Sequence, residues 1–131
     1  MPPLIIYRKG NLEDLSKLQL SDRLTASAQS IEFNVLGVGH EFWIAVEGDR
    51  IVGFTVLGKT DPKKFKIMYL QVPSSHKNRG IGSGLIQALL ESYPESDFSV
   101  IPFDGTEEFY EHLGFESASK WEMCRRTPLP K

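Results

Sequence analysis

The sequence of 131 residues predicts an α/β (α+β) fold, with a mixed and mainly antiparallel sheet flanked by helices. One observation is that apolar, β-rich runs follow one another between residues 42 and 72, as in an antiparallel meander. The other is an amphipathic helical pattern over residues 80–93, which lies between two predicted strands. A strand–helix–strand crossover therefore follows the meander, and one mixed sheet accommodates both.

Composition predicts a single domain over residues 1–131 and excludes several classes of protein. The chain has 15 Lys and Arg against 17 Asp and Glu, and a net charge of −2 gives no field for nucleic acid. The single cysteine, Cys124, excludes an internal disulfide and a Cys-rich zinc cluster, and we expect no metal. The apolar runs are too short to cross a bilayer, and no signal peptide pattern begins the chain. We expect a cytoplasmic protein without membrane or nucleic-acid partners.

The first half of the chain is predicted as two strands framing two helices, followed by two more strands. Residues 4–9 form a strand, and Asn11 and Asp14 cap a helix that runs to about residue 20. Residues 21–33 form a weaker helix, and residues 37–39 a loop. Residues 42–47 and 50–58 flank a two-residue Gly-Asp turn, which predicts a hairpin. A charged turn at 60–64 precedes a strand over 65–72, which Pro73 ends.

The second half alternates helices and strands. After the helix over 80–93, a fifth strand covers residues 98–102. A short helix covers 106–113, with Asp104 and Glu107 at capping-box spacing and Gly114 at its end. Residues 115–126 carry one or two final strands.

The loop before the long helix is the strongest candidate site. Gly80, Gly82 and Gly84 fall within five residues between a strand and a helix, with Lys77 and Arg79 beside them. Free backbone N–H groups at a helix N-terminus suit a phosphate or pyrophosphate. The Walker string G-x-x-x-x-G-K-[ST] does not occur, and the third glycine comes one residue early for a dinucleotide fingerprint.

Two motifs together resemble the GNAT superfamily of acyl-CoA-dependent N-acyltransferases. Residues 77–82 (KNRGIG) are similar to its [Q/R]-x-x-G-x-[G/A] signature, although Lys77 stands where Gln or Arg is usual. Residues 109–115 (FYEHLGF) are similar to its late-helix motif F-Y-E-x-L-G-F. The two motifs lie 33 residues apart, from Lys77 to Tyr110, and the likeness is weakest over residues 11–40.

The resemblance implies that acetyl-CoA is the cosubstrate and that the fourth and fifth strands splay around it. The backbone of the fourth strand would pair with the pantetheine arm, and amides of the glycine loop would hold the pyrophosphate. A backbone N–H in the gap would polarise the thioester carbonyl. The residues implied in coenzyme A binding are Leu70, Val72, Lys77, Asn78, Arg79, Gly80, Ile81, Gly82, Ser83 and Gly84.

The resemblance also implies Tyr110 as the general acid for the leaving thiolate; the alternative is a tyrosine that only packs in the core. A glutamate serves as base in the histone-acetylating branch, and Lys66 occupies that position here. A water chain or Asp104 could replace it, although Asp104 is equally interpreted as a helix cap. Glu41 and Glu47 are expected to be solvent-exposed, and His76 is expected to be a loop residue.

The function that follows is transfer of an acetyl group to the amine of a small molecule or peptide. The alternative is a non-catalytic coenzyme A-binding sensor or assembly module, and either a monomer or a homodimer is open. Residues 59–79 carry six basic residues against one acid, whereas residues 91–116 carry eight acids and no Lys or Arg. The basic stretch suits an anionic cofactor; the acidic stretch suits a cationic amine or is a solvated helix face.

Overall fold

The computed structural model describes residues 4–11, 13–14, 40–72, 76, 79–102 and 105–125. The predicted helix over 21–33, the loop at 37–39 and most of the predicted helix over 12–20 lie outside these residues. So do three of the candidate site residues, Lys77, Asn78 and Asp104.

The described strands form one sheet. They are β1 (Ile5–Lys9), β2 (Glu41–Glu47), β3 (Arg50–Asp61), β4 (Lys64–Gln71), β5 (Asp97–Val100), β6 (Glu116–Ser117) and β7 (Met123–Arg125). Their order across the sheet is β1-β2-β3-β4-β5-β7-β6. Each neighbouring pair is antiparallel except β4 and β5, which run parallel. The predicted mixed, mainly antiparallel sheet is therefore confirmed.

The predicted helix start after β1 is present as a reciprocal capping box. The Asn11 N–H donates to Oδ2 of Asp14 at 2.8 Å, and the Asp14 N–H donates to Oδ1 of Asn11 at 3.0 Å. Both terminal nitrogens of Arg8, on β1, donate to the same carboxylate at 2.8 and 2.9 Å. The Asp14 side chain therefore ties the first strand to the residues that follow it.

The predicted hairpin of β2 and β3 is confirmed, with its turn at Gly48-Asp49. Gly48 has φ 62°, a left-handed conformation that favours glycine. Strand β3 runs three residues further than the pattern predicted, to Asp61, so the next turn shrinks to residues 62–63. Side chains close it: the Lys63 N–H donates to Oδ1 of Asp61, and Thr60 Oγ1 donates to the Lys64 carbonyl.

Helix α1 (Ile81–Ser92) packs its apolar face against the sheet and is bounded as the periodicity predicted. A Cβ on Gly53 of β3 would lie 2.9 Å from Cγ2 of Ile81, so glycine lets the helix approach the strand closely. None of the helices among the described residues is long and apolar enough to span a membrane. The buried residues of α1 are Ile81, Leu85, Ile86, Leu89 and Leu90.

Helix α2 (Glu107–Glu111) is shorter than predicted and begins after Thr106. The N-cap residue is Thr106, and the Glu107 carboxylate accepts from the Gly105 N–H at 3.1 Å; the predicted cap at Asp104 lies outside the described residues. Gly114 has φ 93° and ends the helical turn as predicted.

Candidate functional site

The sheet opens between its two parallel strands. Strands β4 and β5 pair only from Lys64 and Asp97 to Ile67 and Val100. Strand β4 continues to Gln71, whereas β5 ends at Val100, so the second half of β4 has no β5 partner. The splay that the resemblance implied is therefore present.

A cleft of about 530 Å³ occupies this opening. Its walls come from β4, from the residues after β5, from the start of α1 and from α2, and they are mainly apolar. A mainly apolar cleft with a few polar groups is typical of a ligand site. The described lining residues are Ile67, Met68, Leu70, Val72, His76, Gly80, Ile81, Gly82, Ser83, Val100, Ile101, Gly105, Thr106, Phe109 and Tyr110.

Strand β4 carries a β-bulge where it borders the cleft. Val56 of β3 pairs with Tyr69, but the next residue, Leu57, pairs with Ile67, so Met68 is an extra residue. A bulge leaves its extra residue out of the regular ladder and bends the strand. The bulge therefore releases backbone polar groups of β4 beside the cleft.

The start of α1 supplies free backbone donors. Gly80, the N-cap residue, has φ 78° and ψ 11°, a left-handed conformation that glycine adopts without strain. The N–H groups of the first helical residues have no partner within the helix, and residues 80–83 all line the cleft. The first amide used inside the helix is that of Gly84, which donates to the Gly80 carbonyl at 2.9 Å.

The glycines of the loop therefore differ in what they do. A Cβ on Gly82 would lie 3.3 Å from Cζ of Phe109, at the wall of the cleft. A Cβ on Gly84 would lie 2.1 Å from Cζ of Tyr7, a ring of β1 that packs across the helix. Gly84 does not line the cleft and its amide is bonded within the helix, so it offers no donor to the cleft.

Arg79 points away from the cleft toward the end of β2. Its Nη2 donates to Oε2 of Glu47 at 2.8 Å. The other oxygen of Glu47 lies 3.3 Å from Nε2 of His76, a buried residue that lines the cleft. These contacts lower the pKa of the Glu47 carboxyl, with the His76 hydrogen bond as the larger cause and Arg79 as the next.

The expectation that Glu41 and Glu47 are solvent-exposed is wrong. Only 18% of the Glu47 side chain is exposed, because Arg79 and His76 lie against it. Glu41 is 22% exposed and accepts from Nε1 of Trp43 and from the hydroxyl of Tyr93. Both glutamates thus belong to side-chain networks at opposite ends of β2.

Tyr110 lies at the junction of α2 and the cleft. The residue is 6% exposed, and its ring makes T-shaped contacts with Phe109 and Phe115, at centroid distances of 4.9 and 5.5 Å. Burial raises the pKa of the Tyr110 hydroxyl to about 12, so the phenol stays protonated at neutral pH. Among the described residues none hydrogen-bonds this hydroxyl, which leaves it available to a ligand.

The basic stretch does not surround the glycine loop as a unit. Lys63 lies in the turn before β4, and Lys59 and Lys64 lie in the strands on either side of that turn, whereas Arg79 lies beyond the other end of β4. The seven steps from the first to the last residue of β4 span about 23 Å, so those lysines are remote from the start of α1. Lys66, at the position that the resemblance assigns to the glutamate base of the histone-acetylating branch, does not line the cleft.

Comparison with known proteins identifies the family. The family model described as "Acetyltransferase (GNAT) domain" matches residues 38–117, more than half of the chain. The chain belongs to the GNAT acetyltransferase family. No curated protein matches its sequence.

Solved GNAT structures share the whole fold at low sequence identity. The ribosomal-protein-S18-alanine N-acetyltransferase from Escherichia coli has a TM-score of 0.79 at 13% identity, covering 98% of this chain and 97% of its own. The GNAT N-acetyltransferase YhbS from Escherichia coli, in complex with CoA, has 0.77 at 15%, covering 98% and 83%. A GNAT acetyltransferase from Brucella melitensis, in complex with acetyl-CoA, has 0.73 at 14%, covering 98% and 91%. These likenesses confirm the fold of the chain.

Proposed function

We propose that this protein is an acetyl-CoA-dependent N-acetyltransferase that transfers the acetyl group directly to an amine. The observation that carries the proposal is one cleft that holds the free amides of α1 at one wall and the Tyr110 phenol at another. The free amides suit phosphates, and the Tyr110 phenol suits a leaving thiolate. Together they would suit one elongated ligand with a phosphate end and a thioester end.

Coenzyme A would lie along the unpaired half of β4. The amides of residues 80–83 would hold the pyrophosphate, because they are free donors at the positive end of a helix dipole. The backbone of Leu70 and Val72 would pair with the amides of the pantetheine arm, in the place that a neighbouring strand leaves open. The YhbS and Brucella melitensis structures were solved with coenzyme A and acetyl-CoA, respectively, which supports this assignment.

The chemistry is an acyl transfer within a ternary complex. An acceptor that is an ammonium ion first gives a proton to water. The neutral nitrogen then attacks the thioester carbonyl carbon, the carbonyl oxygen takes negative charge, and the C–S bond breaks. Backbone donors freed by the bulge at Met68 would stabilise the oxyanion. The Tyr110 hydroxyl would donate a hydrogen bond to the departing sulfur, while the amine proton leaves through water. Holding two reactants in contact supplies much of the rate.

The acceptor is an amine of a small molecule or a peptide. A cationic acceptor is favoured by the acidic residues of α2, of which Glu107 and Glu111 line a second cleft of about 290 Å³. Ile101 lines both clefts, so the two clefts adjoin at the residue that follows β5. We expect the rate with a cationic amine to fall as salt rises from low to physiological strength. A rate that does not depend on salt would contradict this acceptor class.

The deciding experiment is a thiol-release assay. The protein is incubated with acetyl-CoA and a panel of small amines and peptides, and free coenzyme A is measured with a thiol reagent. Release that requires an amine would establish the transferase. Measurable affinity for acetyl-CoA with no release from any amine would refute it and favour the alternative, a non-catalytic coenzyme A-binding sensor or assembly module.

A further inference from the structure

The carboxylate of Glu47 joins two residues of the loop that leads into α1. Glu47 is the last residue of β2, and its two oxygens contact Nη2 of Arg79 at 2.8 Å and Nε2 of His76 at 3.3 Å. Arg79 and His76 are separated by only two residues, so one side chain on the sheet holds both ends of that segment. Bonds that involve a charged group are stronger than neutral ones and fix geometry.

The segment that Glu47 holds ends where the proposed phosphate donors begin. Gly80 follows Arg79 directly and takes a left-handed conformation that turns the chain into α1. The direction of the amides at residues 80–83 depends on how the chain enters this turn. On the other side of the segment, the buried ring of His76 forms part of the cleft wall itself.

We propose that Glu47 is a positioning residue for coenzyme A, which aligns the amides of residues 80–83 with the phosphates by anchoring Arg79 and His76. This inference rests on the proposed acetyl-CoA site. Glu47 does not line the cleft, so it acts through the loop and not by contact with the ligand. Pairing with Arg79 also offsets a negative charge that would otherwise stand beside the anion site.

The chain offers a matched control on the same strand. Glu41 lies at the opposite end of β2, about 20 Å away along the strand, and is buried to a similar degree. It too accepts from two side chains, the Trp43 indole on its own strand and the Tyr93 hydroxyl after α1. Neither Glu41 nor those donors line the cleft. Glu41→Ala therefore reproduces the loss of a buried glutamate network without touching the loop.

The test compares coenzyme A with pantetheine, which has the same arm and no phosphates. Dissociation constants for both are measured by calorimetry or competition on wild type, Glu47→Ala and Glu41→Ala. We expect Glu47→Ala to raise the dissociation constant of coenzyme A about tenfold, which corresponds to about 1.4 kcal/mol, and to leave that of pantetheine unchanged. Glu41→Ala should change neither constant. In turnover, Glu47→Ala should raise KM for acetyl-CoA and leave kcat unchanged.

The inference would be overturned if Glu47→Ala weakened the binding of both ligands equally. It would also be overturned if coenzyme A bound this variant as tightly as wild type, or more tightly. The proposed function would stand in each case. Wild-type protein that does not bind coenzyme A would overturn both. Glu47→Gln keeps the shape of the side chain and one acceptor oxygen, that of the amide. It replaces Glu47→Ala in the test if the alanine variant does not fold. Its coenzyme A affinity should fall between those of wild type and Glu47→Ala, and wild-type affinity would count against the proposal.

Discussion

Replacing Tyr110 with Phe removes one hydroxyl from the wall of the cleft and leaves the ring in place. The T-shaped contacts of the ring with Phe109 and Phe115 do not involve the hydroxyl. Because no described residue hydrogen-bonds it, its removal leaves no protein group unpaired. We therefore expect the free energy of unfolding at neutral pH to change little, so that a change in rate reports on the chemistry.

The size of the effect follows from the raised pKa. The Tyr110 phenol has a pKa of about 12, whereas an ordinary thiol has one of about 8.5. Complete proton transfer to the thiolate would thus be uphill by about 5 kcal/mol, at about 1.36 kcal/mol per pH unit. Donation of a hydrogen bond avoids that cost, and hydrogen bonds to charged groups contribute about 1.5–3 kcal/mol. We expect kcat to fall about 10- to 150-fold, with KM for acetyl-CoA unchanged.

The assay is the initial rate of thiol release at saturating amine, with Tyr93→Phe as the control. The pKa of Tyr93 is also raised to about 12, through burial and its bond to Glu41, but Tyr93 does not line the cleft. Its variant should keep the wild-type kcat. Wild-type turnover in Tyr110→Phe would remove Tyr110 from the mechanism. A loss in Tyr93→Phe as large as that in Tyr110→Phe would assign the effect to altered folding.

Three further predictions concern the helix start and the buried phenol. Gly82→Asp should abolish coenzyme A binding in calorimetry, because it places a carboxylate beside the proposed phosphate site; normal binding would locate that site elsewhere. Gly84→Ala should lower Tm, since its Cβ would lie 2.1 Å from the Tyr7 ring. The double variant Gly84→Ala/Tyr7→Ala should lose less Tm than the two single variants lose together, because the clash is then absent. Additive losses of Tm would contradict that contact. The pKa of Tyr110 rises from an ordinary value of about 10 to about 12 on folding, so its contribution to stability is complete below about pH 10 and is lost as the pH rises toward about 12. The free energy of unfolding in urea should decline less steeply with pH over that range for Tyr110→Phe than for wild type. An identical decline in the two proteins would refute the raised pKa.

The parts of the fold that local chemistry dictates could be predicted from the sequence. The Gly48-Asp49 turn fixes the hairpin, because few residues other than glycine adopt φ 62° readily. The 3.6-residue period of apolar residues bounded α1 to within one residue at each end. The Asn11 and Asp14 cap also appeared as predicted, since its partners are three residues apart. In each case the interacting groups are neighbours along the chain.

Contacts between distant residues could not be predicted. Glu47 meets His76 and Arg79 across 29 and 32 residues, and an acidic residue at a strand end alone gives no sign of such partners. Gly84 looked like part of a phosphate motif, but its lack of a side chain serves the packing of Tyr7. The basic residues of 59–79 are close together in the sequence but not in space, because the extended strand β4 separates the lysines before it from Arg79 after it. The bulge at Met68 depends on register with β3, which the sequence of β4 alone does not encode.

Under the proposed function, the parting of β4 from β5 links the stability of the protein to its supply of acetyl-CoA. The half of β4 beyond Ile67 presents backbone groups that β5 does not cover, and such an edge is a template for another strand. A pantetheine arm bound there would act as a removable strand, adding stability in proportion to the logarithm of its concentration over its dissociation constant. Depletion of acetyl-CoA would then expose an unpaired strand edge. The lifetime of the protein in the cell, as well as its activity, would follow the supply of acetyl-CoA.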